Sequence, residues 1–360
     1  GNDTSLAGLS IKAYVGYYTG ADAAATITYT AAPIEMKIAD KASTSCPTNT
    51  TALSGSTFAG KPVCQLPAGD AILTDTHLTN NFSYFFDGNV FVGADADTPV
   101  ADKVKLTIDA GTTIFATEGA AAITVRRGGM MFANGSKDQP VIMTSELDVD
   151  GIDALNTRGT WGGVVVSGSA TLNSADGFGV NEGVGDTYGG GTSPRDNDSS
   201  GALTYLQIKY AGYAFSPTNE LNSLALSGVG NETIVDFVQV HNGADDGIEF
   251  YGGTVNAKHL LATGTDDDAL DWVLGYTGKL QHILVDQTNS GDNCIEADNL
   301  SANTDASPRS MPTVSNLTCV GSEGMSTKGH AFELKAGTGM KLSNIVLGGT
   351  FPAGNEGCIR

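Results

Sequence analysis

The chain of 360 residues carries 40 acidic and 19 basic side chains, a formal charge of −21, with 40% apolar residues, 16% charged residues and 47 glycines. That balance excludes a nucleic-acid binder, whose phosphates need clusters of Lys and Arg, and the apolar content excludes a disordered acidic tail. No apolar run reaches the roughly 18 residues of a membrane-spanning helix, so no transmembrane segment is predicted.

Residues 1–42 hold strand-like runs at 10–18, 25–30 and 34–39, separated by Gly, Ala, Asp and Pro, with no longer repeat. They are expected to form an N-terminal β segment. It would either cap a solenoid or act as an arm that pairs with a neighbouring subunit, giving self-association. No basic, apolar leader stands at Gly1, as expected of a mature exported chain. Residues 43–77 read as a connector in which Cys46 and Cys64 bracket a Thr/Ser/Pro/Gly-rich loop and are predicted to form a disulfide.

From Leu78 onward, strands of three to five residues alternate with Asp-Gly, Ala-Gly, Arg-Gly-Gly and Asn-Gly turns. Strands this short, punctuated this often, read as the faces of a three-sided coil. Two insertions interrupt the rhythm, at 146–160 and 172–200, and loops of that length are where recognition is expected. The first contains Asp148, Asp150 and Asp153 around Gly151, alternating carboxylates that suit either a calcium loop or an Asx-type turn. The second is a candidate contact for a polysaccharide or cell-surface ligand.

In the last third one motif recurs: Asp245-Asp246-Gly247-Ile248-Glu249-Phe250, Asp267-Asp268-Ala269-Leu270-Asp271-Trp272 and Asp292-Asn293-Cys294-Ile295-Glu296-Ala297, with a degenerate copy at Gly329-His330-Ala331-Phe332-Glu333-Leu334. Ile248, Leu270 and Ile295 are spaced by 22 and then 25 residues, one coil of a parallel β-helix. Coils stack about 4.8 Å apart. Glu249, Asp271, Glu296 and Glu333 should therefore form an outward file beside Asp246 and Asp268. Carboxylates at that spacing need neutralising, which leaves three explanations. They are a solvated face with Lys258, Lys279 and Lys335 as counterions, a structural Ca²⁺ site, or a catalytic acid pair. The predicted Ca²⁺ ligands are Asp245, Asp246, Glu249, Asp267, Asp268, Asp271, Asp292 and Glu296, with Asp148, Asp150 and Asp153 as a second group.

Cys294 and Cys319 are one coil apart, 25 residues, and are predicted to be a second disulfide, leaving Cys358 over. Two disulfides point to an oxidising, extracellular compartment. His259 and His282, 23 residues apart, are expected to stack, more as polar rungs than as a metal site. No nucleophile elbow, phosphate loop or dinucleotide fingerprint is present, so no catalytic residue is assigned.

The strings Leu106-Thr107-Ile108-Asp109-Ala110-Gly111-Thr112, Ile123-Thr124-Val125-Arg126-Arg127-Gly128-Gly129, Gln139-Pro140-Val141-Ile142-Met143-Thr144-Ser145 and Trp161-Gly162-Gly163-Val164-Val165-Val166, with residues 245–255, resemble a family of secreted bacterial right-handed parallel β-helix proteins of pectate-lyase-like fold. The resemblance spans about residues 78–350 and implies an all-β solenoid in an exported, cell-surface or lipoprotein-like setting. It is similar, more remotely, to pectate lyases and polygalacturonases, which use outward carboxylates with Ca²⁺ or as acid and base. This sequence departs from them in lacking an arginine base near the acidic file and a hydrolase aspartate triad, and fold alone does not imply activity. The expectation is an extracellular structural or adhesive β-helix that binds Ca²⁺ and assembles into a fibre or surface layer. The alternative is a polysaccharide lyase or hydrolase working along the acidic face.

Overall fold

The computed structural model describes residues 45–151, 157–216, 219–287, 290–352 and 358–360. The predicted N-terminal segment, residues 1–42, and Asp153 lie outside the described residues. Within the unit Cys46–Arg360 the chain is an all-β parallel solenoid. A broad sheet joins fourteen strands among the described residues, from Thr51–Phe58 at its head to Lys341–Gly349 at its tail. A narrow sheet of nine strands runs from Ala71–Ile72 to Phe332–Leu334. Pairing in both is parallel except at the head, where Thr51–Phe58 turns back antiparallel on Lys61–Gln65. The parallel coils also take in part of the predicted connector, since Lys61–Gln65 pairs in parallel with Ser83–Phe86.

The broad sheet is two faces hinged at single residues. In successive strands Tyr205, Phe237, His259, His282, Asn316 and Asn344 occupy one corner with φ between 47 and 59°. That left-handed conformation is costly for a residue with a Cβ. Here the rings stack, Tyr205 on Phe237 at 4.4 Å, Phe237 on His259 at 4.1 Å and His259 on His282 at 4.9 Å. The asparagines, which tolerate this region best, continue the column by a side-chain hydrogen bond from Asn344 to Asn316. The expected histidine pair therefore packs in a corner ladder, with His259 Nδ1 2.7 Å from Asp236. His241 lies elsewhere, against Tyr210, and His330 is buried.

Alternation turns one apolar residue per rung inward, buried in every coil of the columns below but the last of the broad sheet. One broad-sheet column runs Cys64, Tyr84, Ile114, Met143, Ile208, Val240, Ala262, Val285, Cys319 and Leu347 in register. The narrow sheet supplies Val90, Ile123, Val164, Leu224, Ile248, Leu270, Ile295 and Phe332. Each fully buried Val, Leu, Ile, Met or Phe among them contributes about 1.5–3 kcal/mol by leaving water. Both predicted disulfides form, Cys46–Cys64 pinning the head hairpin and Cys294–Cys319 linking the two sheets across one coil, while Cys358 is exposed and free. No helix among the described residues is long and apolar enough to cross a membrane.

Candidate acidic cleft on the narrow face

The repeated motif enters the narrow sheet as Ile248–Tyr251, Leu270–Val273, Ile295–Ala297 and Phe332–Leu334. Register places Glu249, Asp271, Glu296 and Glu333 on one outward line, as the spacing predicts. Above Glu249 the same line is neutral, with Ala225, Val165 and Thr124. Gly247 is required where the coils close, because a Cβ there would lie 2.5 Å from the carbonyl oxygen of Ala269.

The file divides into two halves. Its lower members are neutralised by bases: Lys335 pairs with Glu296, and the Arg360 guanidinium lies 3.5 Å from Glu333. Lys258, expected as a counterion, is on the broad sheet beside Asp236, and Lys279 borders a groove there. The upper members gather without a base. Carboxylate oxygens of Asp246, Glu249 and Asp271 lie within 4.8 Å of one another, and so do those of Asp245, Asp246 and Asp267.

All of these but Asp267 line a cleft of about 490 Å³. Glu182, Glu220, Asp245, Asp246, Glu249, Asp271 and Asp298 supply its carboxylates and Tyr188 and Tyr251 its rings, with no Lys, Arg or His among the described lining residues. Burial is the first cause of the resulting electrostatics and mutual repulsion the second. Together they push Asp245, facing Glu220 and Asp267, up to about 7. Asp271, facing Asp298, is likewise pushed up to about 7, although Lys335 works in the opposite direction. Asp246 and Glu249 are held well above the ordinary carboxylate range by burial and the nearby Asp271 charge. Asn222 Nδ2 donates to Glu249 Oε2 at 2.6 Å and to the Tyr251 hydroxyl at 3.1 Å, and its own Oδ1 is buried without a hydrogen-bond partner.

Some predicted ligands also serve the backbone. The Asp268 N–H donates to Asp246 Oδ1 at 3.0 Å, the Asn293 N–H to Asp268 Oδ1 at 2.6 Å and the His330 N–H to Asn293 Oδ1 at 2.9 Å. Asp268 is thereby a rung of a turn ladder, buried at 2% exposure. Asp292 and Glu296 join neither three-ligand group. Of the second predicted group, only Asp148 and Asp150 are among the described residues. Asp148 is held by Lys209 at 2.6 Å and by the Thr144 hydroxyl at 2.8 Å, and exposed Asp150 ends a single helical turn, Glu146–Val149.

Glu182, Glu220, Asp298, Tyr188 and Asn222 were not legible as site residues, because none belongs to the repeat. Glu182 and Tyr188 come from the 172–200 insertion, whose strands Gly179–Val180 and Thr187–Tyr188 form a hairpin. Arg126 Nε fastens that hairpin through Asp186 at 2.8 Å, and Tyr188 lies 5.8 Å from the ring of Tyr251. Glu220 comes from the small hairpin Ala214–Ser216 and Asn219–Glu220. A family model described as a pectate-lyase like beta helix domain matches residues 71–355. Comparison with the curated proteins gave no match, and comparison with the solved structures gave none.

Proposed function

The chain belongs to the family of pectate-lyase-like β-helix domains, and on that scaffold we propose a non-enzymatic extracellular protein that holds Ca²⁺ in the acidic cleft and through it grips an acidic polysaccharide or cell surface. The carrying observation is the meeting of Asp246, Glu249 and Asp271 oxygens within 4.8 Å in a cleft without a basic residue among its described lining. Oxygens bound to one Ca²⁺ at about 2.4 Å are at most about 4.8 Å apart, so the three can share an ion. Ca²⁺ suits the mixture of carboxylates better than Mg²⁺, which demands near-ideal octahedral geometry. Two disulfides support an oxidising compartment. The cation would give a surface of formal charge −21 its means of holding a negatively charged sugar. Calorimetric titration of chelator-stripped protein with Ca²⁺ tests this. Saturable binding, weakened at least tenfold by Glu249→Gln, is expected, and the absence of binding by the wild type would overturn it.

A second reading, polysaccharide cleavage, is favoured by one observation: Asp271 and Asp245 are pushed up to about 7, where a carboxyl can act as a general acid at neutral pH. Release of reducing ends or unsaturated uronates from acidic polysaccharide, abolished by Asp271→Asn, would establish it over the first.

A further inference from the structure

We propose that the solenoid associates head to tail with a second copy of this chain, edge strand against edge strand, and that the contact repeats into a fibre. Among the described residues the broad sheet has an open edge at each end: its tail, Lys341–Gly349, pairs only with Thr313–Gly321, and its head, Thr51–Phe58, only with Lys61–Gln65. An open edge presents unpaired N–H and C=O groups along its length, a template for another strand that proteins ordinarily blunt with charges or proline. These edges are not blunted. Thr51–Phe58 carries no charge and Lys341–Gly349 carries one, Lys341, in a chain of formal charge −21.

Among the described residues the interior also ends uncovered at the tail. Cys319 and Val314 are fully buried, but their next rungs, Leu347 and Leu342, are 36% and 40% exposed, and Val346 beside them is 55% exposed. The head continues the same column, because Ala52 stands opposite Cys64, the first rung of the column that Leu347 ends. Thr51, Ala52, Ser54, Gly55 and Thr57 are exposed there. Stacking along the axis brings Ala52 of one copy over Leu347 of the next. The strands meet antiparallel, since the head strand runs opposite to the coils. A head and a tail are different surfaces, so this contact does not close on itself and generates a filament.

The test uses two variants of the full chain: a head variant, Ala52→Lys with Ser54→Lys, and a tail variant, Leu342→Lys with Leu347→Lys. Each is first checked for an unchanged melting temperature, and should the tail variant fail, Val346→Lys replaces it. Mass is measured by light scattering over a hundredfold range of protein concentration with Ca²⁺ present and salt at about 0.15 M to screen the net charge. The wild type is expected to grow in mass with concentration and to show single-file fibres by electron microscopy. Each variant alone is expected to stay monomeric, and an equimolar mixture to give a one-to-one dimer, the intact tail of one joined to the intact head of the other. A monomeric wild type, a head variant that still dimerises alone through two tails, or growth that survives both changes would overturn it.

Discussion

Asp246 shows how one residue can serve two masters in this cleft. One carboxylate oxygen accepts the Asp268 N–H, a structural duty, while the group also belongs to both three-carboxylate clusters. Asp246→Asn keeps an acceptor for that N–H and removes the charge. It is therefore expected to raise the melting temperature of chelator-treated protein at pH 8 and to shrink the further rise that Ca²⁺ produces, both read by calorimetry. Asp246→Ala also orphans the N–H, at a cost of about 1–3 kcal/mol. The pH dependence follows from Asp245 and Asp271, raised from 3.8 to about 7. Between those values the folded chain binds more protons than the unfolded one, so stability is full below about pH 4 and is lost as pH rises through 7. Ca²⁺-free protein should melt at a lower temperature at pH 8 than at pH 5, and saturating Ca²⁺ should remove or reverse that difference. Equal melting temperatures without Ca²⁺ would contradict the repulsion described here. At this scale the repeat made Glu249 and Asp271 legible, because alternation fixes which side chains point outward. It did not separate Asp246, which joins both three-carboxylate clusters, from Asp268, which sits at the same motif position, accepts the same kind of N–H and joins neither.

Among the elements, the coils were legible and the paths of the insertions were not. Strand period and coil length are properties of neighbouring residues, so 22- and 25-residue spacing translates directly into the register Ile248–Leu270–Ile295. The path of the 172–200 loop depends on contacts far apart in sequence, among them Lys103 with Asp198 and Arg126 with Asp186. Nothing in the local pattern announces such contacts, and Asp148, read as part of a calcium loop or an Asx-type turn, likewise pairs with distant Lys209. Lys103 and Asp198 are both fully buried, 2.8 Å apart. Lys103→Met leaves the buried carboxylate with the Ser169 N–H at 3.1 Å and the Arg195 guanidinium at 3.5 Å, and losing the charged hydrogen bond is expected to cost about 1.5–3 kcal/mol in chemical denaturation. The cystines act on the same scale. Cys294–Cys319 closes a loop with a sequence separation of 25. Replacing both by Ala should cost about 3 kcal/mol, and a loss under 1 kcal/mol would show that the stacked coils hold this region without it.

For the whole molecule, charge and architecture pull in opposite directions. Stacked coils bury long apolar columns rung upon rung, whereas a formal charge of −21 opposes both compaction and association. The family match and the parallel sheets account for the first, and the sequence announced them because a solenoid repeats its own rule. The second is concentrated where the narrow face gathers seven carboxylates, and a cation there would relieve it and supply a bridge to an acidic partner. The most direct measurement is luminescence of Tb³⁺, an oxygen-seeking stand-in for Ca²⁺, excited through the tyrosines, since Tyr188 and Tyr251 line the cleft. Sensitised emission that Ca²⁺ displaces, and that Glu249→Gln and Asp271→Asn abolish, is the expected result. Wild-type protein without emission, or emission indifferent to both substitutions, would contradict a cation held by this cleft.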